Sequence, residues 1–217
     1  MSLLNGLDKV KSLVLHKAKL VAVTKYASIR EINQAVFLGV TDIAESRVAV
    51  AKEKKLEIKG EVKLHLIGHL QRNKVRDAVE TFDMIQSLDS LALAKKIDSV
   101  CKSKNKVMAV LVQVNISNDP NKHGISKNEI VPLLEELSTL SNIKVLGLMT
   151  IVLNVSSVKA KPYFDRMKKV FDLIKELNIP NIEMKYLSMG MSNDFLVAIE
   201  SGANMVRVGS LIFGGPK

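Results

Sequence analysis

Ser188-Met189-Gly190-Met191-Ser192-Asn193-Asp194, followed after one short helical segment by Met205-Val206-Arg207-Val208-Gly209-Ser210, is the stretch that decides the fold of this chain. In each half an apolar, strand-like run ends in small residues whose backbone N–H groups can approach an anion closely. In a parallel α/β barrel, phosphate is commonly held by the loops after the seventh and eighth strands, and these two units have that position and that chemistry. Their counterpart lies near the start of the chain, where Leu20-Val21-Ala22-Val23-Thr24 stops on Lys25. Phosphate grips at one end and a lysine at the other point to a cofactor held by its phosphate and by its carbonyl.

Outward from these units, short apolar runs alternate with amphipathic segments along the rest of the chain. Strands are predicted at 20–24, 41–44, 63–67, 84–87, 107–116, 144–149, 184–187 and 205–208, about the eight that a closed parallel barrel uses. Helix signals fill the intervals. Ser28-Ile29-Arg30-Glu31 and Ser126-Lys127-Asn128-Glu129 are capping boxes, the first followed by apolar Ile32, Ala35 and Val36 and by a left-handed stop at Gly39. Tyr163, Met167, Val170, Ile174 and Leu177 make an apolar stripe that Pro180 ends, and Ser192 is expected to cap a helix closing at Gly202. Strand, helix and strand at this rhythm require right-handed parallel crossovers. The rival architecture, an open doubly wound sheet, has a glycine-rich turn after its first strand, whereas Lys25-Tyr26-Ala27-Ser28 follows here. The predicted fold is a single (β/α)8 TIM barrel with an extra N-terminal helix on its bottom or side.

The chain has 217 residues, 47% hydrophobic and 25% charged, the balance of a soluble globular protein, and no linker or composition shift divides it. One domain spanning 1–217 is expected. No apolar run approaches the roughly 18 residues of a membrane helix. The first 19 residues place Asp8 among lysines and lack a compact apolar core, so no signal peptide is expected and the location is read as cytoplasmic. The single Cys101 excludes an intramolecular disulfide and reads as core filler. The net charge of +10 is spread over nearly every helix and comes without tryptophan, which describes a solvated surface rather than a specific nucleic-acid partner. No exposed apolar stripe asks for a membrane or a second subunit, and a monomer is expected.

Beside a phosphate site, Lys25 reads as a partly desolvated amine able to form a Schiff base with an aldehyde cofactor, and pyridoxal phosphate carries both groups. Arg207, two residues before the second phosphate turn, either pairs with a carboxylate such as Glu45 or faces the pyridine nitrogen. Alternation along 64–66 makes His65 structural. His69, Asn73 and Lys74 follow that strand and either line the pocket or begin a helix. His16 and His123 stand apart in sequence with no metal-ligand spacing around them, and no metal is expected.

Ala22-Val23-Thr24-Lys25, the run from Leu64 to Lys74, Gly147-Leu148-Met149-Thr150, the run from Leu187 to Asp194, and Val206 to Ser210 continuing through Ile212-Phe213-Gly214 together resemble the pyridoxal phosphate homeostasis (pyridoxal phosphate-binding) protein family. The fold of that family is similar to the N-terminal barrel domain of alanine racemase. The resemblance implies that Lys25 is the Schiff-base lysine, that Ser188, Gly209 and Ser210 contact the phosphate, that Arg207 partners the pyridine nitrogen, and that Asn73 and Met149 line the pocket. Asn115 and Lys122-His123-Gly124 also match family runs. Two departures stand out: Ala44-Glu45-Ser46 replaces the family's Gly-Glu-Asn, and Tyr26-Ala27-Ser28 lacks the second lysine usual after Lys25.

Alanine racemase appends a β domain that supplies its second acid/base group, and nothing after Gly214 is expected to replace it. The chain therefore reads as a protein that buffers or delivers pyridoxal 5'-phosphate, with apo forms of pyridoxal phosphate enzymes as partners, rather than as a catalyst. The alternative is a pyridoxal phosphate-dependent enzyme such as a slow amino-acid racemase.

Overall fold

The computed structural model describes residues 3–152 and 155–215. Eight parallel strands close on themselves in chain order. They are β1 (Lys19–Val23), β2 (Asp42–Glu45), β3 (Lys63–Leu66), β4 (Met84–Leu88), β5 (Met108–Gln113), β6 (Ile143–Met149), β7 (Ile182–Ser188) and β8 (Met205–Val208), with β8 pairing back onto β1 from Lys19↔Met205 to Ala22↔Val208. The helices are α1 (Leu3–Val14), α2 (Ile29–Phe37), α3 (Val48–Lys55), α4 (Val75–Thr81), α5 (Leu91–Ser103), α6 (Ile130–Ser138), α7 (Ser157–Glu176), α8 (Phe195–Glu200) and α9 (Ser210–Phe213). None is long and apolar enough to cross a membrane.

Successive side chains on a strand point to opposite faces, so each strand serves two cores. Leu20, Ala22, Ile43, Leu64, Leu66, Ile85, Val206 and Val208 pack outward against the helices. Val21, Ala44, Met84, Leu111, Met149 and Met205 fill the barrel interior. Cys101 is buried in α5, where burial pushes its thiol up and leaves it unreactive.

Local signals explain most boundaries. Ser28 and Glu31 complete the predicted capping box at α2, and Gly39 takes φ +86° beyond its end. The box at Ser126 opens a 3-10 turn over Lys127–Glu129 that runs into α6. Three expectations shift. β5 stops at Gln113, because Asn115 accepts and donates within its own loop to Asp119 and so leaves the ladder. α7 ends before Leu177, which is exposed and outside the apolar stripe. Helix α8 starts after Asp194 rather than at Ser192, because the Asp194 carboxylate accepts the Met191 N–H at 2.6 Å and closes the loop one turn later. Helix α1 lies along the side of the barrel with its start against α9: a Cβ on Gly6 would meet the Leu211 carbonyl oxygen at 2.4 Å.

Where β6 meets β7 the register shifts between Val145 and Gly147, and Gly147 sits at φ +136°. A Cβ there would lie 1.9 Å from the Tyr186 carbonyl oxygen, a backbone atom that no rotamer change can move aside. Gly147→Ala is expected to lower stability by about 2–3 kcal/mol in urea unfolding, from left-handed strain and the clash together. A variant as stable as the parent would show that this close approach does not exist.

Candidate functional site

At the C-terminal mouth of the barrel, between the ends of β1, β7 and β8, lies a cavity of about 240 Å³. Val23, Ile67, Ile151 and Phe213 form its apolar walls, and Lys25, Tyr26, Ser192, Asn193, Arg207, Gly209 and Ser210 bring polar groups to it. Apolar walls with a few convergent polar groups describe a site for one small molecule.

Lys25 is positioned through the residue before it. The Thr24 N–H donates to the Ala44 carbonyl at 2.9 Å, and its hydroxyl donates to Glu45 Oε1 at 2.8 Å. Lys54 closes the brace, its ammonium 2.7 Å from Glu45 Oε1 and 2.7 Å from the Thr24 carbonyl. Lys25 itself is exposed at the edge of the cavity, with Nζ 5.0 Å from the centroid of the Tyr26 ring. It is thus more open to water than the sequence led us to expect.

Arg207 is 2% exposed. Burial pushes its guanidinium down to about 10, partly offset by Asp194, so it still carries its charge at neutral pH. Its partner is not Glu45, which Lys54 and Thr24 occupy. Arg207 Nη2 donates to the Thr150 carbonyl at 2.8 Å and Nη1 to the Ser188 hydroxyl at 2.6 Å. From there a file of hydrogen bonds crosses the barrel interior. The Ser188 hydroxyl donates to Gln86 Oε1 at 2.7 Å, Gln86 Nε2 lies 2.9 Å from His65 Nδ1, His65 Nε2 lies 2.9 Å from Asp42 Oδ1, and Lys19 donates to Asp42 Oδ2 at 2.7 Å.

The two ends fix the direction of this file. Guanidinium can only donate and carboxylate can only accept. Ser188 therefore receives from Arg207 and gives to Gln86, Gln86 turns its NH₂ to His65, and His65 accepts at Nδ1 and donates from Nε2 to Asp42. Burial acts to raise Asp42, but the hydrogen bonds from His65, Lys19 and Thr41 outweigh it and hold the carboxyl well below the usual carboxylate range.

The loop after β7 turns at Gly190, φ +91°, where a Cβ would lie 2.6 Å from the Ala198 Cβ and 2.9 Å from the Phe195 Cα. Its carbonyl accepts the Arg207 N–H at 3.0 Å, tying this loop to β8. Across the cavity the Gly209 N–H donates to the Ser192 hydroxyl at 3.2 Å. Among the described residues, no hydrogen bond uses the backbone N–H of Ser192, Asn193 or Ser210. Unpaired N–H groups lining a cavity are what an anion needs.

The structure thus brings Lys25, Arg207, Gly209 and Ser210 to one cavity. Ser188 stands one layer below, buried, its hydroxyl engaged by Arg207 and Gln86 rather than open to a ligand. Met149 is buried in the barrel interior, because the strand's alternation points it beneath the mouth. Asn73 lies on an exposed 3-10 turn over Arg72–Lys74 and is not among the residues lining the cavity. Asn115 orders its own loop, and Lys122 donates to the Val152 carbonyl. Sequence reasoning passed over Tyr26 and Gln86, and read Ser192 only within the anion-binding loop and as a helix cap. Tyr26 stands beside a residue already singled out, and Gln86 carries a signal of its own, a large polar side chain within the predicted strand 84–87.

The family model for the alanine racemase N-terminal domain matches residues 2–217. A pyridoxal phosphate homeostasis protein from Synechocystis is 39% identical over 199 residues, 90% of each chain, and one from Homo sapiens is 35% identical over 90% of this chain and 76% of its own. Among solved structures, PipY of Synechococcus elongatus with pyridoxal phosphate bound superposes with a TM-score of 0.91 at 30% identity, covering 98% of this chain and all of PipY. Alanine racemase of Clostridium difficile, at 21% identity and a TM-score of 0.78, covers 99% of this chain with 56% of its own and shows the shared barrel.

Two outcomes follow for the polar file. Gln86→Leu strands the Ser188 hydroxyl and His65 Nδ1, and at about 1–3 kcal/mol for each unsatisfied buried group a loss of roughly 2–4 kcal/mol in urea unfolding is expected. Asp42 has a folded-state pKa below its unfolded value of roughly 3.9, so its contribution is complete above that pH and is lost as pH falls through the folded value. Asp42→Asn should be less stable than the parent at pH 7, with the gap narrowing below about pH 4. A pH-independent gap would remove the carboxylate from this role.

Proposed function

The chain belongs to the alanine racemase N-terminal domain family and, within it, to the pyridoxal phosphate homeostasis proteins, and on that footing we propose that it binds pyridoxal 5'-phosphate and buffers or delivers it. The observation that carries the proposal is the convergence on one cavity of the Lys25 amine, the buried Arg207 charge and the N–H groups of Ser192, Asn193 and Ser210, which no described residue engages. Lys25 would hold the aldehyde carbon as a Schiff base. The N–H groups after β7 and β8, with the Ser192 and Ser210 hydroxyls, would hold the phosphate. Val23, Ile67 and Ile151 would cover the ring. Delivery makes apo forms of pyridoxal phosphate enzymes the recipients.

When bound, the cofactor supplies an electron sink whose strength depends on a protonated ring nitrogen, and a permanently charged guanidinium beside that nitrogen keeps it unprotonated. Arg207 is well suited to that role because Ser188 and Thr150 hold both of its terminal nitrogens. Such a site holds its ligand firmly and activates bonded carbon weakly. The exposure of Lys25 at the rim suits exchange, because a nucleophile arriving from solvent can reach it.

Purified protein given pyridoxal phosphate should develop an imine absorption band, and borohydride should fix one cofactor to a peptide containing Lys25. Lys25→Ala should retain phosphate-dependent binding with an affinity lowered tenfold or more and should lose the covalent label. A parent protein that takes up no cofactor would sink the proposal. Lys25-dependent change of chirality in an amino-acid assay would establish the racemase alternative instead.

A further inference from the structure

His69, Asp89 and His123 follow three successive strands, β3, β4 and β5, at the same mouth of the barrel, and none of the three lines the cavity. His69 Nδ1 lies 3.2 Å from Asp89 Oδ2, and the His69 and His123 rings stack with centroids 4.1 Å apart. Among the described residues, these are the one group of three histidine, cysteine, aspartate or glutamate side chains whose ligand atoms all lie within 4.8 Å of one another. We propose that His69, Asp89 and His123 bind a divalent transition-metal ion of the zinc type, with water completing its shell.

Three features carry this. First, bonds of roughly 2.0–2.1 Å at a tetrahedral ion separate neighbouring ligand atoms by about 3.3 Å, and the His69–Asp89 pair already stands at that spacing. Second, the ligands sit on backbone that the barrel holds in place. The Ser87 hydroxyl donates to the Gly68 carbonyl at 2.6 Å just before His69, Gln113 Nε2 donates to the His123 carbonyl at 3.0 Å, and Asp89 directly precedes the Ser90 cap of α5. Third, the cation nearest in sequence to His123 is turned away, since the Lys122 ammonium donates to the Val152 carbonyl. The Asp89 side chain is only 13% exposed while the two imidazoles reach solvent, which gives an ion both an anionic anchor and an entry path.

The stacked rings are 10° from parallel, and parallel rings cannot direct their lone pairs at one point. Binding therefore requires His123 to leave the stack. It is exposed, and among the described residues its ring makes no hydrogen bond, so rotation about its side-chain torsions meets little resistance. Occupied, the site would staple the loops after β3, β4 and β5 together. It does not depend on the cavity or on any cofactor.

Calorimetric titration of the full-length protein, free of added pyridoxal phosphate, with Zn²⁺ tests the proposal, and Co²⁺ absorption reports the geometry. One equivalent is expected to bind with visible tetrahedral bands. His123→Ala and Asp89→Asn should each weaken binding at least tenfold, and His16→Ala should leave it unchanged. Circular dichroism of each variant separates loss of the site from loss of fold. Absence of Zn²⁺ binding in the parent, or equal affinity in a His69→Ala/His123→Ala double variant that remains folded, would overturn it.

Discussion

A guanidinium that stays charged at neutral pH sits inside the barrel at Arg207, and much of the interior is arranged around it. Transferring an ion from water costs several kcal/mol even after relaxation, and only well-formed hydrogen bonds recover that. The main-chain carbonyl of Thr150 supplies one acceptor and Ser188 the other. Ser188 accepts from Arg207 and donates its hydroxyl hydrogen to Gln86 Oε1, which leaves the Gln86 NH₂ facing His65, and so on to Asp42. Six side chains on six strands thus have their orientations set by one guanidinium and one carboxylate. Among the described residues, no buried side-chain nitrogen or oxygen is left without a partner.

The same arrangement explains why the cavity is found where it is. Strand alternation that puts Arg207 inside also puts Met205 inside, one layer down, so the charge and part of the apolar barrel interior come from one strand. On the far side of the cavity the Lys54–Glu45 pair holds Thr24 from outside the barrel, which leaves the next residue, Lys25, to project over the mouth. One polar network works within the barrel and the other on its outer face, and the cavity lies between the groups that they position.

The short apolar runs and the capping boxes made the barrel legible in the sequence, because parallel strands buried on both faces and helices with a single apolar stripe are local patterns. That Lys25, Arg207, Gly209 and Ser210 gather at one cavity was legible for a related reason: each lies near the end of a strand or just beyond it, and strand ends point at the mouth. What stayed hidden depends on depth or on distance in sequence. Ser188 and Met149 are also near strand ends, but whether such a residue meets a ligand or another side chain depends on how far the strand reaches up the barrel. The grouping of His69 with His123 is invisible to spacing rules, since only the adjacency of β3, β4 and β5 brings their loops together. Gln86 was hidden because its role belongs to partners on two other strands.

Arg207 also bears on what the protein can do with a bound ring. An acidic partner would supply a proton to a ring nitrogen and strengthen its pull on electrons, whereas Arg207 is already charged, is locked by two acceptors, and has no proton to give at neutral pH. Its file offers no relief, since every donor in it points toward Asp42 and away from the cavity. Reversing that order would require Asp42, held well below the usual carboxylate range, to become the donor. Burial pushes the Arg207 guanidinium down to about 10, which still leaves it charged at neutral pH, and beside a bound pyridine ring that charge would favour retention of an anionic, aldehyde-bearing ligand over its use in carbanion chemistry.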